Sequence, residues 1–229
     1  MGDLYKELEK DLRYREGLNA CINCGICTSV CPAAEVSDYD PRMVVDMVQQ
    51  KDESILRQLL SGDTIWRCGE CLSCKTRCPR GNVPCYIIQS LRSLSIETGL
   101  FAESSEGRKQ LVVKRTVGDH ILKYGYCVYI DEVKNEWYPE QGPVWEWLSQ
   151  NRKETLERFK TSYGKEQAGT LRNTAQESLE DLKRIFDETG GTARFAKIEE
   201  FSARKAAEAG KDFSEERDEY FNMLNNGEE

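Results

Sequence analysis

Cys21-Ile22-Asn23-Cys24-Gly25-Ile26-Cys27-Thr28-Ser29-Val30-Cys31-Pro32 decides the fold of this chain. Cys68-Gly69-Glu70-Cys71-Leu72-Ser73-Cys74-Lys75-Thr76-Arg77-Cys78-Pro79 repeats its spacing. Both runs read C-x2-C-x2-C-x3-C-P, and together they use eight of the ten cysteines. Three thiols set two residues apart can face one centre only if the backbone curls tightly around it. The fourth thiol lies beyond the curl and points elsewhere. The proline that follows fixes φ, turns the chain away and suits a first helical position.

This is the run that holds cubane iron–sulfur clusters in two-cluster ferredoxins, where the fourth cysteine ligates the other cluster. Carried onto this chain, cluster I takes Cys21, Cys24, Cys27 and Cys78, and cluster II takes Cys68, Cys71, Cys74 and Cys31. The competing reading of paired C-x2-C motifs is tetrahedral zinc. Zinc takes four ligands per site, and three thiols within seven residues crowd such a site. A disulfide framework belongs to small secreted domains, which this chain does not resemble.

With 229 residues the chain has room for one domain and an appendage, or for two small domains. Its net charge of −8 argues against a nucleic-acid surface, which needs a basic face. No apolar run approaches the ~20 residues that span a bilayer. The acidic start, Met1-Gly2-Asp3-Leu4-Tyr5-Lys6-Glu7, carries no signal-peptide core and no myristoylation pattern. Cysteine-rich and without an export signal, the chain is expected in a reducing cytoplasm.

Outward from the two runs the periodicity is helical. Leu4, Leu8 and Leu12 form the stripe of a short first helix ended by Gly17. Between the runs, Asp40-Pro41 reads as a cap and first helical residue, with Met43, Val44, Met47 and Val48 behind it. Ile55, Leu56, Leu59 and Leu60 make a second helix, stopped by Ser61-Gly62-Asp63. The segment 14–20, before the first run, is no strand, which excludes the compact hairpin ferredoxin. Val83-Pro84 opens a helix striped by Ile87, Ile88, Leu91 and Leu94 and closed by Gly99, and this helix is expected to pack the two loops together. Cys85 in its first turn reads as a small buried hydrophobe, since both clusters are already filled.

The remainder is expected to be mainly helical. Leu111 to His120 continues a basic helix, Tyr124 to Val133 is either a short strand or an extended arm, and Cys127 has no partner spacing. His120, the one histidine, is a candidate ligand or acid–base group, or a helix-end residue with a local hydrogen bond. Trp137, Trp145 and Trp147 either anchor a partner or clamp this arm, and Pro143 opens a helix toward Phe159. Leu171, Ala175, Leu179, Leu182 and Phe186 form one tail stripe, broken by Gly190-Gly191. Phe195, Ile198 and Phe201 form another, and Phe213, Tyr220, Phe221 and Leu224 a last short one. The fold class is therefore mainly α: a helical ferredoxin module over 1–100, a connecting helix and aromatic arm over 101–160, and a charged amphipathic extension over 161–229.

No G-x-G-x-x-G, no phosphate loop and no paired His–carboxylate constellation accompanies the cysteines. Two clusters without a substrate site read as a wire, whose chemistry is done by its partners. Arg67, Lys75, Arg77 and Arg80 surround the second run against Glu70, so either cluster II holds electrons at the higher potential or these are solvated surface charges or docking contacts.

The twin runs, the helical spacer and Arg77-Cys78-Pro79-Arg80-Gly81 resemble the C subunit of heterodisulfide reductase over roughly residues 15 to 130. The resemblance implies a helical ferredoxin with two [4Fe-4S] clusters, the eight cysteines matching the family's ligands one for one. It implies electron relay between a flavin-bearing A-type subunit and a cysteine-rich B-type subunit. After about residue 140 the chain departs from that pattern. Its charged tail is similar to C subunits of the heterodisulfide-reductase-like complex of sulfur oxidisers, where a lipoate-bearing carrier protein is the implied substrate. The rival expectation is an iron–sulfur subunit of a quinone-linked respiratory dehydrogenase.

Overall fold

The computed structural model describes residues 2–135, 138, 141–214 and 217–227, and among them the regular structure is helical throughout. The helices are α1 (Asp3–Leu8), α2 (Leu12–Gly17), α3 (Ile26–Ser29), α4 (Pro32–Val36), α5 (Pro41–Gln49), α6 (Glu53–Ser61) and α7 (Pro84–Thr98). They continue with α8 (Ser105–Arg108), α9 (Gln110–Val113), α10 (Asp119–Tyr124), α11 (Gly142–Gln150), α12 (Arg152–Arg158), α13 (Gln176–Glu188), α14 (Gly191–Glu208) and α15 (Glu219–Asn226). Contacts group them into two units, one of residues 1–111 with 196–229 and the other of residues 112–195.

The caps that set the cluster module are local. Asp40 accepts from the backbone N–H of Arg42 at 2.8 Å and of Met43 at 3.2 Å, and Pro41 takes the first turn of α5, where its missing N–H costs nothing. Asp52 does the same for α6 through Ser54 and Ile55. Pro84 opens α7, and Gly99 closes it at φ +77°.

Helix α7 is the axle of the first unit. Ile87, Ile88 and Leu91 are fully buried against Val44, Val45 and Val48 of α5 and Leu56, Leu59 and Leu60 of α6. Each such side chain contributes about 1.5–3 kcal/mol on burial. Two polar ties cross this core: Tyr5 Oη donates to the Val48 carbonyl at 2.8 Å, and Ser95 Oγ to that of Leu60 at 2.6 Å. Residues 196–227 add Ile198, Ala206, Tyr220, Phe221 and Leu224 as buried positions. Phe201 meets Phe101 edge-on at 6.3 Å, and Lys205 pairs with Glu103 at 3.1 Å.

The second unit holds α10, which follows α9 through a wider π turn over Lys114–Gly118. Tyr124 stacks on Tyr129 with centroids 4.0 Å apart, and Thr174 Oγ1 donates to the Tyr124 carbonyl at 2.7 Å. His120 is buried and meets the Tyr124 ring edge-on. Phe186 of α13 meets Phe195 at 5.4 Å.

Several details depart from the sequence reading. The first helix is two, broken over residues 9–11, because the Asp11 carboxylate caps a new helix by accepting from Arg13 N–H at 2.8 Å. The break leaves Leu12 exposed and puts Tyr14 in the core. Tyr124 ends α10, and from 125 to 135 the described residues form bends and turns, so the expected segment is neither a strand nor an extended arm. Pro79 opens no helix: the second run ends in a 3-10 turn, and Pro84 is the helical proline. Leu171 lies before α13, and α13 buries no residue. Trp137 lies outside the described residues; Trp145 Nε1 donates to the Val133 carbonyl at 2.9 Å, whereas Trp147 is exposed.

Candidate metal-cluster centre

The two cysteine runs adopt the same curl. Asn23 and Gly25 in the first run have φ of 56° and 77°, and Glu70 and Leu72, the matching positions of the second, have 52° and 62°. A left-handed backbone costs an L-residue roughly 1–2 kcal/mol, and three of these four carry a side chain. Strain of this kind persists where the surroundings over-determine it, typically around a ligand. Alternating right- and left-handed residues also turn successive N–H groups inward, making an anion-binding concavity of the type found at iron–sulfur sites.

The thiols sort into two quartets, each drawn from both runs. A cavity of about 260 Å³ is lined by Cys68, Cys71 and Cys74 of the second run and Cys31 of the first. A tighter cavity of about 20 Å³ is lined by Cys21, Cys24 and Cys27 with Cys78 of the second run. Pro84, the first residue of α7, lines both cavities. Among the described residues no three cysteine, histidine or carboxylate side chains close to single-ion spacing; the quartets surround spaces rather than a point. Cys24 and Cys71, the second thiol of each run, are exposed. Beside them Ile22, Leu72 and Val36 stand partly or largely in solvent.

The sulfurs meet backbone donors. Asn23 N–H points to Cys21 Sγ at 3.4 Å, and Asn82 N–H to Cys78 Sγ at 3.3 Å. As free thiols several are hard to ionise. Burial pushes Cys27 up to about 11 and raises Cys74 as well. Cys71, at the surface, is lowered by the Ser73 hydroxyl and backbone N–H. Cluster ligation requires thiolates, so bound iron must supply the charge that offsets this desolvation. Four thiols, loops wound around them and N–H groups aimed at sulfur supply the donor set of a [4Fe-4S] group in both places; the second cavity has the room for it, and the first is the narrower.

The charges redistribute relative to the sequence reading. Arg80 follows Cys78 across to the first cavity, where Arg42 joins it, while Arg67 lines the second. Sequence proximity assigned Arg80 to the second loop because the crossing of Cys78 carries its neighbours along. The first site therefore gains Arg80, whereas Arg42 is paired with Asp40 at 2.9 Å and Glu70 with Arg92 at 2.6 Å.

Three supporting residues escaped the sequence reading. Arg92, on α7, donates from Nε to the Ile65 carbonyl at 2.8 Å, from Nη2 to the Cys68 carbonyl at 2.7 Å and from Nη1 to Glu70, with its guanidinium over the Trp66 ring. Its signal was a lone arginine beside the apolar stripe of α7. Tyr39 is buried against the second cavity, and Asn82 against the first, where its Oδ1 accepts from Asn19 N–H at 2.5 Å. Cys85 is buried as expected, but it lines the second cavity.

The 4Fe-4S dicluster domain family matches residues 17–82, the span that contains both runs, and so assigns the chain two [4Fe-4S] clusters. Among curated proteins, the C subunit of the ferredoxin:CoB-CoM heterodisulfide reductase of Methanosarcina acetivorans is 39% identical over 124 residues, covering 53% of this chain and 46% of that protein. The C subunit of the ferredoxin/F(420)H(2)-dependent CoB-CoM heterodisulfide reductase of the same organism is 32% identical over 160 residues, 68% of this chain and 90% of that protein. The C subunit of the H(2):CoB-CoM heterodisulfide,ferredoxin reductase of Methanothermobacter marburgensis is 26% identical over 137 residues, 59% and 68% respectively. The chain thus spans a little under half the length of the first relative and nine-tenths of the second. By its dicluster domain and its likeness to that second relative over most of both chains, the protein belongs to the family of heterodisulfide reductase C subunits.

Proposed function

We infer that this chain relays electrons between a flavin-bearing A-type subunit and a cysteine-rich B-type subunit of a heterodisulfide reductase or a complex like it. The observation that carries this is the pair of neighbouring quartets, lined in common by Pro84, each with its own exposed thiol. In this reading cluster I is held by Cys21, Cys24, Cys27 and Cys78, and cluster II by Cys68, Cys71, Cys74 and Cys31, within a cluster-bearing module over residues 1–100.

When bound, the clusters supply one-electron chemistry. The protein supplies distance, insulation and charge. Exchange of the fourth cysteine locks the two loops to each other, so neither site can move without the other. Cys24 with Ile22, and Cys71 with Leu72 and Val36, give each site its own partly apolar rim. Two rims suit two partners, one delivering electrons and one receiving them.

A methanogen-type setting is supported by the names of the relatives. The setting of sulfur oxidisers, with a lipoate-bearing carrier protein, is supported by the charged segment over 161–229. Among the described residues no helix is long and apolar enough to cross a membrane. Affinity capture of the full chain from native extract tests the reading. Copurification of a flavoprotein and a cysteine-rich B-type protein is expected, and recovery of a membrane cytochrome in their place overturns it.

A further inference from the structure

Two buried side chains with hydrogen to donate, Tyr39 and Cys85, line the second cavity together with Cys68. Tyr39 precedes the Asp40 cap of α5, and its ring is fixed in the core with only 3% of its surface exposed. Its hydroxyl is buried and meets no partner at hydrogen-bond geometry. Tyr39 shares the lining of the second cavity with the Cys68 and Cys31 thiols. A buried hydroxyl without a partner costs about 1–3 kcal/mol, so its retention needs an acceptor. Cys85 is 1% exposed and stands in the first turn of α7. Both residues line the second cavity. At the first cavity the buried side-chain donor is an amide, Asn82 Nδ2, which also lacks a partner.

We propose that Tyr39 and Cys85 donate O–H···S and S–H···S hydrogen bonds to the Cys68 thiolate of cluster II, and thereby set that cluster's reduction potential. The proposal rests on the ligand assignment made above. A hydrogen bond to a ligating sulfur is stronger when the cluster carries its extra electron, so it favours the reduced form. Tyr39 is thus a tuning residue: it acts through the ligand sulfur and transfers nothing itself.

The test uses the full chain purified anaerobically. Tyr39→Phe removes one oxygen and keeps the ring, so the core is preserved. Potentiometric titration followed by EPR should show one of the two clusters becoming harder to reduce by roughly tenfold in equilibrium constant, about 59 mV for one electron, with the other cluster unmoved. Cys85→Ala should shift the same cluster in the same direction by less, since S–H is the weaker donor. Resonance Raman adds a readout that packing does not move. The iron–thiolate stretch should shift on exchange from H2O to D2O in the wild-type protein, and shift less in Tyr39→Phe. Fully loaded Tyr39→Phe with both potentials and the isotope shift unchanged overturns the proposal while leaving the relay reading intact. If Tyr39→Phe fails to load its clusters, the wild-type isotope shift decides: its absence overturns the proposal. Wild-type protein holding far less than two clusters of iron overturns both.

Discussion

Replacing Arg92 by alanine should loosen the second cysteine loop selectively. Its guanidinium, only 18% exposed, fixes the carbonyls of Ile65 and Cys68 and the carboxylate of Glu70. A hydrogen bond from a charged donor is worth about 1.5–3 kcal/mol. The Glu70 contact must be discounted because that side chain is 39% exposed. The cation–π contact with Trp66 adds about 0.5–1 kcal/mol. Neighbouring terms are not additive, and a net loss of about 3 kcal/mol is a reasonable sum. If iron escapes through local opening of this loop, 3 kcal/mol raises the open fraction on the order of a hundredfold. The assay is capture of iron by a ferrous chelator under anaerobic, reducing conditions, with the two clusters followed separately by EPR. Cluster II of Arg92→Ala should lose iron about a hundredfold faster than wild type, and cluster I near its wild-type rate. Arg92→Lys should recover less than half of the loss, since an ammonium cannot span three acceptors. Wild-type release rates in Arg92→Ala, or equal acceleration of both clusters, would refute this reasoning.

Two other outcomes follow from the same geometry. Leu72 sits at φ 62°. Leu72→Gly should leave thermal stability within about 0.5 kcal/mol, the relieved strain being offset by greater freedom of the unfolded chain. Leu72→Val should cost roughly 1–2 kcal/mol, because a β-branched residue resists the left-handed region. Asp63 ties the 3-10 turn before Cys68 to α8, accepting from Ser104 Oγ at 2.6 Å, Ser105 Oγ at 2.9 Å and Glu106 N–H at 3.1 Å. Burial opposes its ionisation, but these hydrogen bonds and Arg67 win and hold its pKa below the usual carboxylate value. A depressed folded pKa gives stability that is full above the ordinary value of about 3.9 and is lost as pH falls through the folded value. The melting-temperature gap between wild type and Asp63→Asn should therefore be constant above pH ~5 and shrink on acidification below ~4. A gap independent of pH would exclude the carboxylate as its source.

Much of the first unit was legible because its signals are local. Asp40-Pro41, Val83-Pro84 and Gly99 announce helix ends through backbone chemistry that no tertiary contact needs to supply. The spacing of the cysteine runs likewise reflects a curl, and the matching left-handed residues Asn23, Gly25, Glu70 and Leu72 are that curl in dihedral form. What escaped was set by distant partners. The break between α1 and α2 hides inside a continuous leucine stripe, since Asp11 reads equally well as a surface carboxylate. The allegiance of Arg80 depends on which cavity Cys78 joins. Tyr39 and Arg92 matter because of where their polar ends arrive, and periodicity carries no record of that. The tail shows the converse limit. The stripe of α13 is regular in sequence, yet no α13 residue is buried, because periodicity states which face is apolar and not what covers it.

The claim beneath this account is that each cluster draws its fourth thiolate from the other loop. EPR spectra of the reduced proteins, recorded for Cys21→Ala, Cys78→Ala, Cys68→Ala and Cys31→Ala, test it most directly. The account expects Cys78→Ala to perturb the same signal as Cys21→Ala, and Cys31→Ala the same signal as Cys68→Ala. If Cys78→Ala instead matches Cys68→Ala, each loop closes on its own cluster and the account is contradicted.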